Sequence, residues 1–272
     1  MESDEAGSLS SWEAGSLQNL NWFTFCKKVN VKNKKDLNNI EKFGAIHQEI
    51  LRSVNLILVG FAGIQNHAPN LENSFLTLHL LSSGFERLMK INICLAVLLR
   101  TGKYPDSKLL HELGHNLVYI KNEILAKYYT QAAHMNIDFN FLNHDNELNE
   151  LLTILGDFGI EGRYYNFNII SGKWNWRFRD EPQAKWEKFK LKVIFKNVDL
   201  KNKILTDRFA QNEADEVASY ILKILEKFVW AISRQFVFGL SDIGRKLSPL
   251  LMEFYSIPPD DFGKKIYRKY LL

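Results

Sequence analysis

From Ser74 onward the chain runs through apolar residues with few interruptions: Phe75, Leu76, Leu78, Leu80, Leu81, Phe85, Leu88, Met89, Ile91, Ile93, Leu95, Val97, Leu98 and Leu99. A helix apolar on nearly every side is the buried centre of a bundle. One polar seam interrupts it, formed by His79, Ser83, Glu86/Arg87, Lys90 and Cys94. At about 100° per residue these positions share a narrow arc. The turn Thr101-Gly102-Lys103-Tyr104-Pro105-Asp106 then folds the chain back into a second helix that reaches Tyr128. Its core stripe is Leu110, Leu113, Leu117, Ile120 and Ile124, so 74–128 reads as a helical hairpin around which the rest is organised.

The flanking elements follow the same period. Ile40, Phe43, Ile46, Ile50, Leu51, Val54, Ile57, Leu58 and Phe61 predict a helix over 37–65, with Gly60 and Gly63 either allowing close approach to a neighbour or fraying the end. His67-Ala68-Pro69-Asn70 stops it. A linker over 135–143 leads to a short helix from Asp145 to about Leu155, and Gly156, Gly159 and Gly162 break the pattern. An irregular piece follows over 161–172. Trp174, Trp176 and Phe178 then alternate with Asn175, Arg177 and Arg179, the period of a short strand or extended edge. Trp186, Phe189 and Val193 lie on one side of a helix over 182–195. In the last long helix Asn212 is a candidate N-cap and Ile221, Leu225, Phe228, Ile232 and Phe236 form the stripe, with Gly239 at its end. A short helix over 243–254 and a basic tail, Lys264-Lys265-Ile266-Tyr267-Arg268-Lys269, complete the chain. The architecture expected is mainly α, a helical bundle with an irregular, short-stranded insertion near 156–205. A mobile segment over 1–20 precedes a single domain over 21–272.

Composition alters this picture little. The 272 residues are 46% hydrophobic and 24% charged, the balance of a soluble globular protein, and suffice for a sizeable core. A net charge of +4 does not by itself indicate nucleic acid. The two cysteines, Cys26 and Cys94, show no metal or disulfide spacing. The acidic start, Met1-Glu2-Ser3-Asp4-Glu5, is not an export signal, and the apolar runs are shorter than the about 20 residues a bilayer requires. A cytoplasmic protein with no membrane partner is expected.

Two features of the hairpin carry candidate chemistry. The first is His111-Glu112-Leu113-Gly114-His115, which has the letters of a zinc protease helix. On a continuous helix His111 and His115 lie one turn apart and can hold a metal, with Glu112 as general base on its water. The extended form of that motif is not met, because Val118 and Lys121 stand where a Gly and a His belong, which leaves Glu147 or Glu150 as a third ligand. The alternative is a solvated His/Glu face, and the metal reading stays secondary to it.

The second feature is the seam itself. Glu86-Arg87-Leu88-Met89-Lys90, the turn Gly102-Lys103-Tyr104-Pro105 and Gly114-His115-Asn116-Leu117 together resemble the HEPN superfamily of helical-bundle proteins, with Asn116 where Asp is more usual. Gly162-Arg163-Tyr164-Tyr165-Asn166 and Ser233-Arg234-Gln235-Phe236 extend the similarity more weakly. The resemblance implies a defence or toxin–antitoxin type protein acting on RNA or a nucleotide, as a homodimer or with a cognate protein partner. It implies metal-independent ribonuclease activity in active members and no cofactor. Their signature of an Arg followed four to six residues later by a His is absent, and no histidine follows His144.

On the residues alone, Arg87, Lys90 and His115 form a cluster able to hold a phosphate. His115 is the candidate proton-transfer group and the two cations stabilise phosphorane charge. The bland alternative is an ion pair fixing the bundle's register. Residues 171–203 hold ten Lys/Arg against four Asp/Glu, interleaved with Trp174, Trp176, Phe178, Trp186, Phe189 and Phe195. With Arg163, Tyr164, Tyr165, Asn166, Arg177 and Arg179 this is a second candidate phosphate- or nucleic-acid-binding region, unless the rings are core and the lysines its solvated face. The third function considered is a non-catalytic, dimerising interaction protein.

Overall fold

A computed structural model describes residues 34–66, 71–173, 181–199, 201–202 and 211–271, and contains no strand among them. The mainly α expectation holds; Trp174, Trp176, Phe178 and the strand expected there lie outside the described residues, as do residues 1–20. The chain divides into two compact units, 1–47 and 48–272. Within the first, helix α1 (Lys34–Gln65) begins, and its larger part belongs to the second.

Helix α2 (Leu71–Thr101) is the central rod of the second unit. Leu78, Leu81, Phe85, Leu88, Met89, Ile93 and Leu95 are buried, while His79, Ser83, Glu86, Lys90 and Cys94 form a stripe left partly open, and Phe75, Leu76 and Leu99 near the helix ends are exposed. The glycines of 57–84 set close approach. A Cβ on Gly60 would lie 2.5 Å from the Leu81 side chain, and one on Gly84 would lie 2.7 Å from Ile57. Phe61 contacts Phe85, Phe254 and Tyr267, and Phe85 in turn meets Phe228 at 5.2 Å between ring centres. These fully buried rings form the core and gather distant parts of the chain, because each removes a large apolar area from water.

The returning arm differs from one long helix. It is α3 (Ser107–Glu112), a break, α4 (Leu117–Glu123) and a wide π-type turn, Ile124–Tyr128. Each short helix has its own N-cap: the Asp106 side chain accepts from Leu109 N and Asn116 from Tyr119 N, both at 2.9 Å. Gly114 closes α3 in the left-handed region at φ +58°, its N–H donating to His111 O.

The expected linker over 135–143 is instead α5 (Asn136–His144), and the helix after it, α6 (Asn146–Ile160), passes through Gly156 and Gly159 without breaking. There the glycines are contact surface: a Cβ on Gly156 would meet Leu117 N at 3.1 Å, and one on Gly159 would meet Ser82 Oγ at 2.5 Å. The irregular piece is also helical, as a 3-10 turn over Gly162–Tyr164 and α7 (Tyr165–Ile170). Helix α8 (Pro182–Lys196) buries Trp186, Phe189 and Val193, as their spacing predicts.

Helix α9 (Gln211–Arg234) runs into a π-type turn ending at Gly239, followed by α10 (Ser241–Leu247) and α11 (Met252–Tyr255). The basic tail is no tail. Gln65 donates to Lys265 O (2.8 Å) and accepts from Tyr267 N (2.6 Å), Ser219 Oγ donates to Gly263 O, and Tyr267 is fully buried. An aromatic inside the basic run supplies the apolar anchor that the charges conceal.

Candidate functional site

The site is assembled where the break in the returning arm meets the polar seam of α2. The α3–α4 break presses against α6, where the missing side chains of Gly156 and Gly159 each leave an ideal Cβ position only 3.8 Å from His115 O. This seating carries the His115 imidazole to α2, where its Nδ1 lies 2.9 Å from Glu86 Oε2. The other oxygen of the same carboxylate accepts from Lys90 Nζ at 2.8 Å, one helical turn along. Glu86 is 16% exposed and His115 52%, so the carboxylate is sheltered and the imidazole is open. With an ionised carboxylate as acceptor, Nδ1 carries the hydrogen of that bond, and Nε2 has no partner among the described residues. A carboxylate that fixes the tautomer and direction of an imidazole leaves the far nitrogen available to accept or donate a proton.

Arg87 does not join this group. Its guanidinium pairs with Glu49 of α1, whose other oxygen takes Arg52 at 2.6 Å. The predicted Arg87/Lys90/His115 cluster is therefore two carboxylate-centred triads starting from adjacent residues, Arg52–Glu49–Arg87 and Lys90–Glu86–His115. The physical reason is helical geometry: Glu86 and Arg87 differ by about 100° around α2 and so reach different neighbours. Together the two triads hold three permanent cations and two carboxylates. Further along the seam, burial pushes the Cys94 thiol up to about 11, which keeps it protonated and poorly nucleophilic, and raises the Tyr104 hydroxyl as well.

The zinc-like letters are divided by Gly114. His111 and Glu112 end α3, both exposed, while His115 lies beyond the left-handed residue, so the two imidazoles are not one turn apart on one helical face. Glu147 is taken by Lys196 and by Tyr220 OH (2.6 Å), and Glu150 by Lys192. No group of three His, Cys, Asp or Glu stands ready for a metal ion among the described residues.

The second candidate region is largely committed within the protein. Lys185 pairs with Asp157 at 2.6 Å, and Lys192 and Lys196 pair with Glu150 and Glu147, so α8 presents its lysines to an acidic stripe of α6. The rings of Trp186 and Phe189 are core. Arg163 donates to Gly159 O at 2.9 Å, covering a carbonyl in the last turn of α6, and its charge, after burial, lowers the pKa of His79. Tyr164 and Asn166 are exposed and Tyr165 half-buried at the start of α7. None of the bonds assigned to these four reaches His115, while Arg177 and Arg179 lie outside the described residues.

Glu86 is the residue whose role sequence reasoning understated. Its pairing with Lys90 is visible as an i, i+4 spacing, whereas its hold on His115 depends on a chain break that only Gly114 and Asn116 signal. A cleft of about 330 Å³, lined by residues of α4 and α6 with Asn116 at its edge, adjoins the same break. No helix among the described residues is long and apolar enough to cross a membrane. Comparison of the chain with protein-family models, with curated proteins and with solved structures finds no match.

Proposed function

We propose that the chain is an HEPN-like protein of defence or toxin–antitoxin type that binds RNA, or another phosphate-bearing partner, along the ridge of Arg87, Lys90 and His115. The observation that carries this reading is the Glu86 carboxylate holding Lys90 on one oxygen and the exposed His115 on the other. Such a carboxylate keeps a cation and an imidazole side by side in fixed directions without burying either. The neighbouring Arg52–Glu49–Arg87 group adds a guanidinium with donors to spare, the group best suited to two oxygens of one phosphate. Three permanent cations against two carboxylates leave the ridge cationic. Binding comes first in this reading, since the Arg–His signature of active ribonucleases is absent. Where proton transfer accompanies binding, it belongs to His115 Nε2. Assembly as a homodimer or with a cognate protein is part of the same proposal.

The test is a titration of a fluorescent single-stranded RNA at 50 and 200 mM salt, using wild type, Arg87→Ala and Lys90→Ala, each checked for an unchanged helical spectrum. Phosphate contacts require affinity to fall steeply with salt, and each variant should flatten the log–log slope by about 1. Salt-independent binding, or variants that bind like wild type, would overturn the proposal.

A further inference from the structure

The cleft between α4 and α6 lies beside the His115 break, and none of the chemistry above uses it. Its volume, about 330 Å³, is at the lower end of the roughly 300–1,000 Å³ typical of small-molecule sites. It suits one nucleoside-sized group and is too small for a duplex or a helix. Its polar lining holds hydrogen-bonding groups with few partners of their own. The Asn122 amide has none among the described residues. Asn116 uses only its oxygen, as the cap on Tyr119 N, which leaves its NH₂ unbonded. Tyr119 is 45% exposed, with no aromatic ring stacked on it among the described residues. Across the cleft, the Thr153 hydroxyl donates back to Asn149 O and keeps its acceptor capacity outward. The charge of Asp157 is answered by Lys185 through one oxygen, and the other remains an acceptor. Gly156 completes the lining without a side chain.

These groups define a ligand. The Asn122 amide, with a donor beside an acceptor, matches the paired donor and acceptor edge of a nucleobase, and the Asn116 NH₂ adds a second donor. An uncovered phenol ring offers the stacking surface on which unpaired bases are held. The cleft is nearly neutral, which suits an uncharged ring, whereas the cations lie on the α2 side of the same break. We propose that this cleft is a base-recognition subsite that takes one unstacked nucleobase of a single-stranded RNA, with the phosphates of that strand directed to Lys90 and Arg87. The inference rests on the RNA reading given above, which it deepens by naming where sequence would be read. Asn122 and Asn116 are the reading groups, Tyr119 is the platform, and Thr153 and Asp157 supply further acceptors.

The experiment uses the full chain and four probes, uridine, adenosine, uridine 5′-monophosphate and glucose, titrated by calorimetry and by the side-chain amide signals in nitrogen-15 NMR spectra. Wild type should bind at least one nucleoside, with shifts in the Asn116 and Asn122 NH₂ signals. Asn122→Leu, a change at an exposed position, should weaken that binding by about fivefold or more. Lys90→Ala should remove the gain contributed by the 5′-phosphate. Absence of nucleoside binding, binding of glucose equal to that of nucleosides, or an Asn122→Leu variant indistinguishable from wild type would each overturn the subsite. Failure of the wider reading looks different: nucleosides would still bind, but long RNA would show no salt-dependent affinity.

Discussion

Lys121 gives the most decisive test of the fold's energetics. It lies on α4 among the core positions, is 1% exposed, and has no carboxylate partner among the described residues. Its ammonium donates to Leu142 O at 2.7 Å and to Asn149 Oδ1 at 2.8 Å. Leu142 is in the last turn of α5, where carbonyls lack intrahelical donors and the helix dipole is negative, so Lys121 acts as a cap from a different helix. These partners offset only part of the desolvation, and burial lowers the Lys121 pKa to about 8 from an ordinary 10.5. A lowered folded-state pKa means that the native protein sheds this proton before the unfolded chain does. Between pH 8 and 10.5 the unfolded state therefore binds more protons, and Lys121 makes stability rise with pH. The full contribution is about 3 kcal/mol, of which about 1 kcal/mol falls between pH 7 and 9.

The perturbation is Lys121→Met, which keeps the length of the stem and removes the charge. Two effects compete at pH 7: the variant is relieved of an ionised group in the core, but it leaves Leu142 O and Asn149 Oδ1 unpaired at about 1–3 kcal/mol each. The net change at one pH is thus a poor test, and the slope is a good one. Urea unfolding of both proteins at intervals from pH 7 to 9 should give a stability difference that moves by about 1 kcal/mol in favour of wild type as pH rises. Cys94 acts in the opposite direction at higher pH, because its raised thiol pKa keeps a proton in the native state that the unfolded chain has lost, but it is common to both proteins and cancels. Parallel stability curves would refute the reasoning, since they would mean that Lys121 titrates alike in the folded and unfolded states.

Gly263→Ala should cost about 2–4 kcal/mol in urea unfolding, because Gly263 has φ +86° and a Cβ would lie 2.4 Å from Ser219 O; a loss under about 0.5 kcal/mol would mean the closing segment is not held as described. Arg234→Met should destabilise by about 3–5 kcal/mol, because it strands Asp138, a 4% exposed carboxylate paired to the guanidinium at 2.7 Å. Asp138→Asn in the same background should restore much of that loss, and simple additivity of the two changes would count against the pair.

Much of the architecture was legible because it depends on apolar period alone. The stripes of α8 and α9 bury the residues their spacing indicates, down to Trp186, Phe189 and Val193, while the apolar run of α2 is buried through its middle and exposed at Phe75, Leu76 and Leu99 near its ends. The errors share one physical origin: local residue preference was given more weight than the neighbour it meets. Gly156 and Gly159 read as breakers, yet their lack of a side chain is what lets α6 accept the backbone of 115–117. The run over 264–269 reads as a solvated tail, yet Tyr267 is buried against Phe61. The lysines of 171–203 that read as free for phosphate include Lys192 and Lys196, whose partners are Glu150 and Glu147, more than 40 positions away in the chain. A charge run shows how many cations a segment has; only the fold shows which have already been spent.

The candidate site shows the same dependence on one residue's handedness. Had residues 107–123 formed a continuous helix, His111 and His115 would have shared a face and left Glu86 with Lys90 alone. Gly114 in the left-handed region ends α3, Asn116 starts α4 afresh, and the residue between them is handed across to α2. The result is one carboxylate with a separate oxygen for each neighbour. In the proposed binding mode this separation matters. A phosphate that draws Lys90 away from Oε1 leaves the bond from His115 to Oε2 in place, so the imidazole keeps its direction while the cation is engaged.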